Sequence, residues 1–409
     1  ISTSLLDIDI SAFRNTFHLN NIFIPHKLKI IPFACFYNSN IIDISGGIGV
    51  EYIDDYAFSH TKLLNNFDIS NSLLEIGDYC FFNSGLINFN FPPKLRIIGK
   101  YSFYSIPNLI SINISTPLIK INAYSFADCI NLNNISFNSD SKLYTIDEFA
   151  FYNDTSLTNI TFPDNLYEIK YKAFSFCSFI SLIFPNNIKH IGDSSFEYQG
   201  FSLKYNSHSS TLTDISLNGT ITIGKRAFYN NPSLNSPILP NTLTHIYDQA
   251  FRLCRNISII TIPDNTYYLG DGIFKDCINL LEINVGSSVT TLSNFLFDTC
   301  SNLSKFTTNG VILSMGNYCF LNVRGIININ FASRCMYFGI GCFKGCSYLQ
   351  NILLNYKLQH IPDNLFYNCG SLRNGGEDGT TFHFTNPDTL EPLIFNNDDI
   401  NEPDERGSY

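Results

Sequence analysis

The sequence predicts a right-handed solenoid of stacked short coils with a parallel β-sheet along one face. Short second strands, turns and short helical or 3₁₀ segments are expected on its other faces. Three observations predict this. A Phe recurs at a nearly constant interval, apolar and polar residues alternate at one phase of that interval, and Pro and Gly punctuate two others.

The Phe positions are 13, 36, 58, 81, 103, 126, 151, 174, 196, 228, 251, 274, 297, 320, 343 and 366. Thirteen of the fifteen intervals are 22 or 23 residues; the exceptions are 25 (Phe126 to Phe151) and 32 (Phe196 to Phe228). About 16 repeats therefore fill residues 1–372 as one array, with an insertion near 199–211. One unit is too small to bury its own apolar face, so units must stack.

Each element of the unit follows in turn. About six residues after the Phe comes Leu or Ile (Leu132, Leu157, Ile257), then an alternating pair such as Ile160 and Phe162 or Ile260 and Ile262. Alternation with period two is a strand with one face buried, and parallel strands from successive coils should form one continuous sheet. Pro often follows (Pro25, Pro92, Pro163, Pro185, Pro240, Pro263) and ends the ladder, because it has no N–H to donate. A short second strand comes next, as in Thr242–Ile246. An aliphatic sits five before the Phe, often followed by Gly (Gly77, Gly99, Gly192, Gly224). The residue before the Phe is usually Ala, Cys or Ser, and this last segment reads as a short helical or 3₁₀ turn.

The units 157–177 and 257–277 fit the pattern L-x-x-I-x-I-P-x-x-L-x-x-I-G-x-x-A-F-x-x-C, which resembles the BspA-like leucine-rich repeats, the 23-residue bacterial and protozoan surface class. The resemblance runs from about Leu5 to Leu372. It implies a leucine-rich-repeat solenoid, often on a cell surface and engaged in adhesion or host contact. The 32-residue unit, the stretch 45–50 and the tail depart from the pattern.

Cys254, between Arg252 and Arg255 and downstream of His245, looks like an activated thiol until the repeat is seen. Cys129, Cys177, Cys254, Cys277, Cys300, Cys346 and Cys369 all stand three residues after the Phe. Cys35, Cys80, Cys319 and Cys342 stand just before it, and only Cys335 is out of phase. Cysteine that follows a structural period reads as a small buried residue with a free thiol. His190, His245 and His360 share a slot six before the Phe, in coils too far apart for one metal site; Lys120 and Glu168 in the same slot mark it as solvent-facing. No phosphate loop, HExxH, GxSxG or triad spacing is present, so the sequence predicts no catalytic site, no cofactor and no metal. Seven N-glycosylation sequons occur, about the number that the Asn, Ser and Thr content produces by chance.

Net charge is −10, but residues 377–409 carry nine acids and one Arg, leaving −2 for the rest. A nearly neutral body excludes nucleic acid as a partner. No apolar run approaches the ~20 residues of a membrane helix. The chain has no initiator Met and begins inside a repeat, which reads as a fragment or processed form. Residues 373–409 read as a C-terminal cap, with a last strand at Thr380–Phe384, and an acidic, flexible tail.

Residues between the buried aliphatics of each strand should point out over the sheet. Asn88, Asn90, Ser111, Asn113, Asn134, Ser136, Asn159 and Thr161 form two uncharged polar columns there, and the central column continues through Ile183, Ser216 and Ile238. Amides and hydroxyls both donate and accept, which suits a peptide backbone or sugar hydroxyls. The insertion should expose Phe201, Lys204, Tyr205 and His208 as a second candidate contact. The expected function is non-enzymatic adhesion or recognition at a cell surface or outside the cell, through a protein or glycan ligand of a host cell or matrix. The alternative is an intracellular protein–protein interaction scaffold in the cytoplasm.

Overall fold

A computed structural model describes residues 5–67, 71–114, 117–202, 207–355, 357–371, 383–385 and 392–393. The chain forms two compact units, Ile1–Leu243 and Thr244–Tyr409, each a stack of repeat coils. Most coils contribute a broad-face strand, a turn, a two-residue second strand and a second turn carrying the Phe.

In the amino-terminal unit the broad strands form parallel sheets of Asn21–Ile24, Asp43–Gly46 and Asn66–Phe67, of Asn88–Asn90, Ser111–Ile114 and Asn134–Phe137, and of Ser181–Ile183 and Asp214–Ser216. Ile238 adds a single bridge to Ser216. The carboxy-terminal unit has one sheet of Ile259–Thr261, Glu282–Val285 and Lys305–Thr308. A second holds Asn328–Ile329, Asn351–Asn355, His383–Thr385 and Pro392–Leu393. Thus among the described residues the broad strands of each unit form short sheets rather than the one continuous sheet expected from the alternation. One break lies at residues 158–163, which lie in no strand although Ile160 and Phe162 are buried there. It follows the 25-residue coil, whose two extra residues lengthen the turn before Thr145–Ile146. Near the expected cap, His383–Thr385 pairs in parallel with Asn351–Asn355. The acidic tail expected beyond it lies outside the described residues.

The two-residue strands behave as expected. Nine recur in the first unit and five in the second. Pro opens the turn that leads to each of several: Leu28, Leu95, Leu166, Ile188 and Leu243 donate their N–H to the carbonyl of the Pro three residues earlier.

The segment around the Phe is not helical. Among the described residues the one 3₁₀ helix is Phe331–Arg334. Instead, all sixteen coils place two left-handed residues there, two before and two after the Phe. In the second coil these are Ala34 (φ 51°) and Asn38 (φ 53°). Three turns follow one another, closed by Cys35 N–H to Pro32 C=O, Tyr37 N–H to Ala34 C=O and Ser39 N–H to Phe36 C=O, each at 3.1 Å. The peptides between them point along the stack. Ala34, Phe36 and Asn38 donate to Asp55, Ala57 and Ser59 of the next coil at 2.8–3.0 Å. A helix would turn those groups onto its own axis and leave the neighbouring coil without partners. Alternating handedness keeps every second N–H for the next coil.

The core is a column of Phe rings. From Phe13 to Phe228 each ring stacks on the next at 5.1–5.7 Å between centroids. Phe251 to Phe366 form an equivalent column in the second unit at 5.1–6.1 Å. A second column, at the left-handed position before the Phe, stacks Tyr56, Tyr79, Tyr101, Tyr124 and Phe149 at 4.5–4.8 Å on the unit's surface.

The Gly that follows the aliphatic has a direct cause. Three before the Phe, an Asp or Asn side chain accepts the N–H of the same position one coil later, as Asp193 Oδ1 does from Lys225 at 2.7 Å. The preceding residue of that later coil must pass close by. A Cβ on Gly224 would lie 2.6 Å from both Asp193 N and Asp193 Oδ1. Gly224→Ala should therefore lower stability by about 2 kcal/mol, read as a drop in urea midpoint. An unchanged midpoint would show that the coils have slack at this contact.

Candidate functional site

The polar columns read from the sequence assemble on one face of the amino-terminal unit. Asn88 pairs with Ser111 and Ser111 with Asn134; Asn90 pairs with Asn113 and Asn113 with Ser136. Phe89, Ile112 and Ile135 alternate with them and are buried, which fixes the register because a slip of one residue would expose all three. Five of the six polar residues are exposed and Ser111 is half-buried.

The columns are tied along the stack. Ser111 Oγ donates to Asn88 Oδ1 at 2.9 Å, and Ser136 Oγ donates to Asn113 Oδ1 at 3.1 Å. These bonds use the amide oxygens, so the NH₂ groups of Asn88 and Asn113 remain as outward donors. Asn159 and Thr161 are exposed one coil further on, but in the 158–163 segment rather than in a strand. Asn159 Nδ2 reaches only Thr158 Oγ1, at 3.4 Å.

The same face carries apolar residues among its polar ones. Ile183 is 70% exposed and Ile238 is 87% exposed, on either side of the half-buried Ser216. Ile87 and Ile110 are exposed at the entry to the polar strands. Those two went unread because they precede the alternating pair.

The insertion is a hairpin, with Phe201–Ser202 antiparallel to Ser207–His208. Phe201 is half-buried, with its ring 5.7 Å from Phe176 and 5.5 Å from Tyr198. It anchors the hairpin to the coil instead of standing exposed as expected. Lys204 and Tyr205 lie outside the described residues, as does the side chain of His208.

All twelve cysteines are buried, and none forms a disulfide. Burial pushes the Cys35 thiol up to about 12 and those of Cys129, Cys177 and Cys277 well above the thiol range. The slot three after the Phe has a use for a thiol. Its Sγ donates to the carbonyl of the previous coil's Phe in Cys129, Cys177, Cys277, Cys300, Cys346 and Cys369, at 3.0–3.2 Å. Cys254 occupies the same slot, fully buried, while Arg252 turns its Nε to Asp276 Oδ2 at 3.1 Å. His190 and His245 are half-buried and bonded to Thr222 and Thr244; His360 is exposed. Among the described residues no group of His, Cys, Asp or Glu could hold a metal ion. No helix there is long and apolar enough to cross a membrane.

The family model described as "BspA type leucine rich repeat region (6 copies)" matches residues 1–110, 119–220, 221–346 and 274–375. None of the curated proteins matches the chain. Among solved structures, a leucine-rich repeat protein from Bacteroides ovatus is 20% identical with a TM-score of 0.54, over 90% of this chain and 80% of that one. A leucine rich cell surface protein from Faecalibacterium prausnitzii is 20% identical, over 80% of this chain and 82% of that one, with a TM-score of 0.45. The pneumococcal vaccine antigen PcpA is 16% identical, over 79% and 84%, with a TM-score of 0.38. The likeness to the Bacteroides ovatus protein is one of fold.

Proposed function

The chain belongs to the BspA-type leucine-rich repeat family, and on that premise we propose that it is a cell-surface or secreted recognition protein whose broad sheet face in the amino-terminal unit binds a protein of a host cell or matrix. A leucine-rich repeat solenoid is an interaction scaffold, since stacked coils present an extended surface that no single coil could offer. One observation carries the reading. The exposed amides and hydroxyls of Asn88 to Ser136 share the broad face with the bare side chains of Ile183 and Ile238. Uncharged hydrogen-bonding columns fix the register of a partner backbone, and exposed aliphatics on the same face supply the desolvated anchors that dominate interface energy.

The triple variant Asn90→Lys, Asn113→Lys, Ser136→Lys should weaken binding of the full chain to cultured host cells and immobilised matrix by about tenfold or more. Each substituted residue is exposed, so the circular dichroism spectrum should not change. Undiminished binding by the folded variant rejects this face.

The second reading, an intracellular scaffold, is favoured by the twelve free thiols, since oxidising compartments tend to pair cysteines. Labelling intact cells with a membrane-impermeant reagent separates the two, because only a surface protein reacts.

A further inference from the structure

The carboxy-terminal unit contains a groove that the polar sheet does not explain. Its two-residue strands fall into two ladders. His245–Ile246 pairs with Tyr268–Leu269, and a new ladder then begins with Thr291–Leu292, Ser314–Met315 and Tyr337–Phe338. Across the break the contact is made by a side chain, Ser293 Oγ donating to Gly270 C=O at 2.5 Å. A groove of about 480 Å³ lies over this break.

The slot six before the Phe lines it. Tyr268 stands at one end and Tyr337 at the other, 42% and 61% exposed, with Thr291 and Ser314 in the two coils between. Thr291 Oγ1 and Ser314 Oγ share a hydrogen bond at 2.9 Å and form a hydroxyl floor. One wall is the Asp and Asn ladder of Asp248, Asp271 and Asn294. Asp271 Oδ1 accepts the Asn294 N–H at 3.1 Å, and Asn294 Oδ1 accepts the Asn317 N–H at 2.8 Å.

This slot differs from the aromatic column of the first unit. There each ring is covered by the ring of the next coil at 4.5–4.8 Å. Here two small residues separate the tyrosines, so no ring stands between them. Three coil steps at the ~4.8 Å strand spacing put the tyrosines about 14 Å apart. That distance is too long for an aromatic cage around one small cation. No Lys or Arg lines the groove, and Asp248 and Asp271 do, which excludes an anion.

We propose that this groove binds a neutral oligosaccharide. A sugar chain offers apolar C–H faces to the two exposed tyrosines. It also offers hydroxyls that donate to Asp271 and exchange hydrogen bonds with Thr291, Ser314 and Asn294. An extended groove rimmed by rings and floored by hydroxyls fits several sugar units in a row. The inference does not rest on the proposed sheet face, which lies in the other unit and uses other residues.

The test uses the full chain on an array of neutral and acidic glycans, followed by calorimetry with the best neutral chain. Binding of a neutral chain is expected. Tyr337→Ala should weaken it about tenfold, by loss of one stacking partner. Ser314→Tyr should abolish it by filling the floor, and Tyr337→Phe should retain most of it. The lysine variants of the sheet face should bind the glycan normally. The proposal fails if no neutral chain binds, if only acidic chains bind, or if binding survives both Tyr337→Ala and Ser314→Tyr in folded protein.

Discussion

Phe103→Ala should destabilise the amino-terminal unit by about 4 kcal/mol. Phe103 is fully buried. Its ring stacks on Phe81 and Phe126 at 5.2 Å each and meets Phe89 and Phe91 edge-on at 4.9 and 5.5 Å. Truncation removes all four ring contacts and leaves a cavity. The cavity cannot close easily, because each stacked neighbouring ring is held by the hydrogen bonds of its own coil to the next: Phe81 N–H to Ser102 C=O at 2.7 Å, Phe126 N–H to Ala150 C=O at 2.9 Å. Phe103→Leu keeps much of the volume and should cost about a third as much. Urea denaturation reads the size of the effect, and hydrogen exchange reads its reach. In a stack with nearest-neighbour coupling, protection should fall first between Phe81 and Phe126. A loss spread evenly over the whole unit would mean that the coils do not couple pairwise.

Asp154→Asn should stabilise the protein at neutral pH, by about 2 kcal/mol, and have little effect near pH 4. Asp154 is completely buried in the slot that elsewhere holds cysteine. Its Oδ1 accepts the Cys129 N–H at 2.8 Å, while its Oδ2 has no partner. Burial holds its carboxyl well above the usual carboxylate range, and nearby Asp128 adds to the effect. Asn231 shows what the slot accommodates. Its Oδ1 accepts the Gln199 N–H at 3.0 Å and its Nδ2 donates to Phe196 C=O at 2.9 Å. An amide at 154 supplies the donor that a carboxylate lacks. Because the folded pKa lies above the unfolded one, the folded chain holds the extra proton. Its stabilising share is complete below the unfolded carboxyl value, near pH 4, and is lost as pH rises toward the folded value. The variant has no such proton, so its advantage should grow from pH 4 to pH 8. Melting temperatures across that range decide it, and an advantage independent of pH would remove the carboxyl as the cause.

What the sequence made legible was whatever repeats within one coil. The Phe column, the buried aliphatics, the phase of the cysteines and the outward columns from Asn88 to Ser136 all follow from side-chain period and volume. What it hid depends on how one coil meets the next. The left-handed pair around each Phe read as helical because its i to i−3 turns share a helix's spacing, and only the inter-coil bonds reveal the difference. The sheet breaks reflect spacing between whole coils, so Asn159 and Thr161 looked like strand residues. Phe201 looked exposed because one of its partners, Phe176, belongs to the preceding coil, and only the fold brings the two rings together. The Tyr268–Tyr337 groove needed four coils placed side by side, although the shared slot of His190, His245 and His360 had already marked that position as facing solvent.

The left-handed pair also limits how the gene can drift. Among the thirty-two such positions none is Ile or Val, and Thr299 is the one β-branched residue, although Ile is abundant in this chain. A branched side chain in that conformation is strongly disfavoured, whereas Asn adopts it readily. Asn fills seven of the sixteen places after the Phe: 15, 38, 83, 153, 230, 322 and 368. Asn and Ile codons differ by one base. On the outer face of a strand that exchange strains no backbone, as the exposed Ile183 shows. At the turn it costs about 1–2 kcal/mol in backbone strain. A change from Asn to Ile at either position of a coil should therefore weaken the stack itself, whatever partner the face binds.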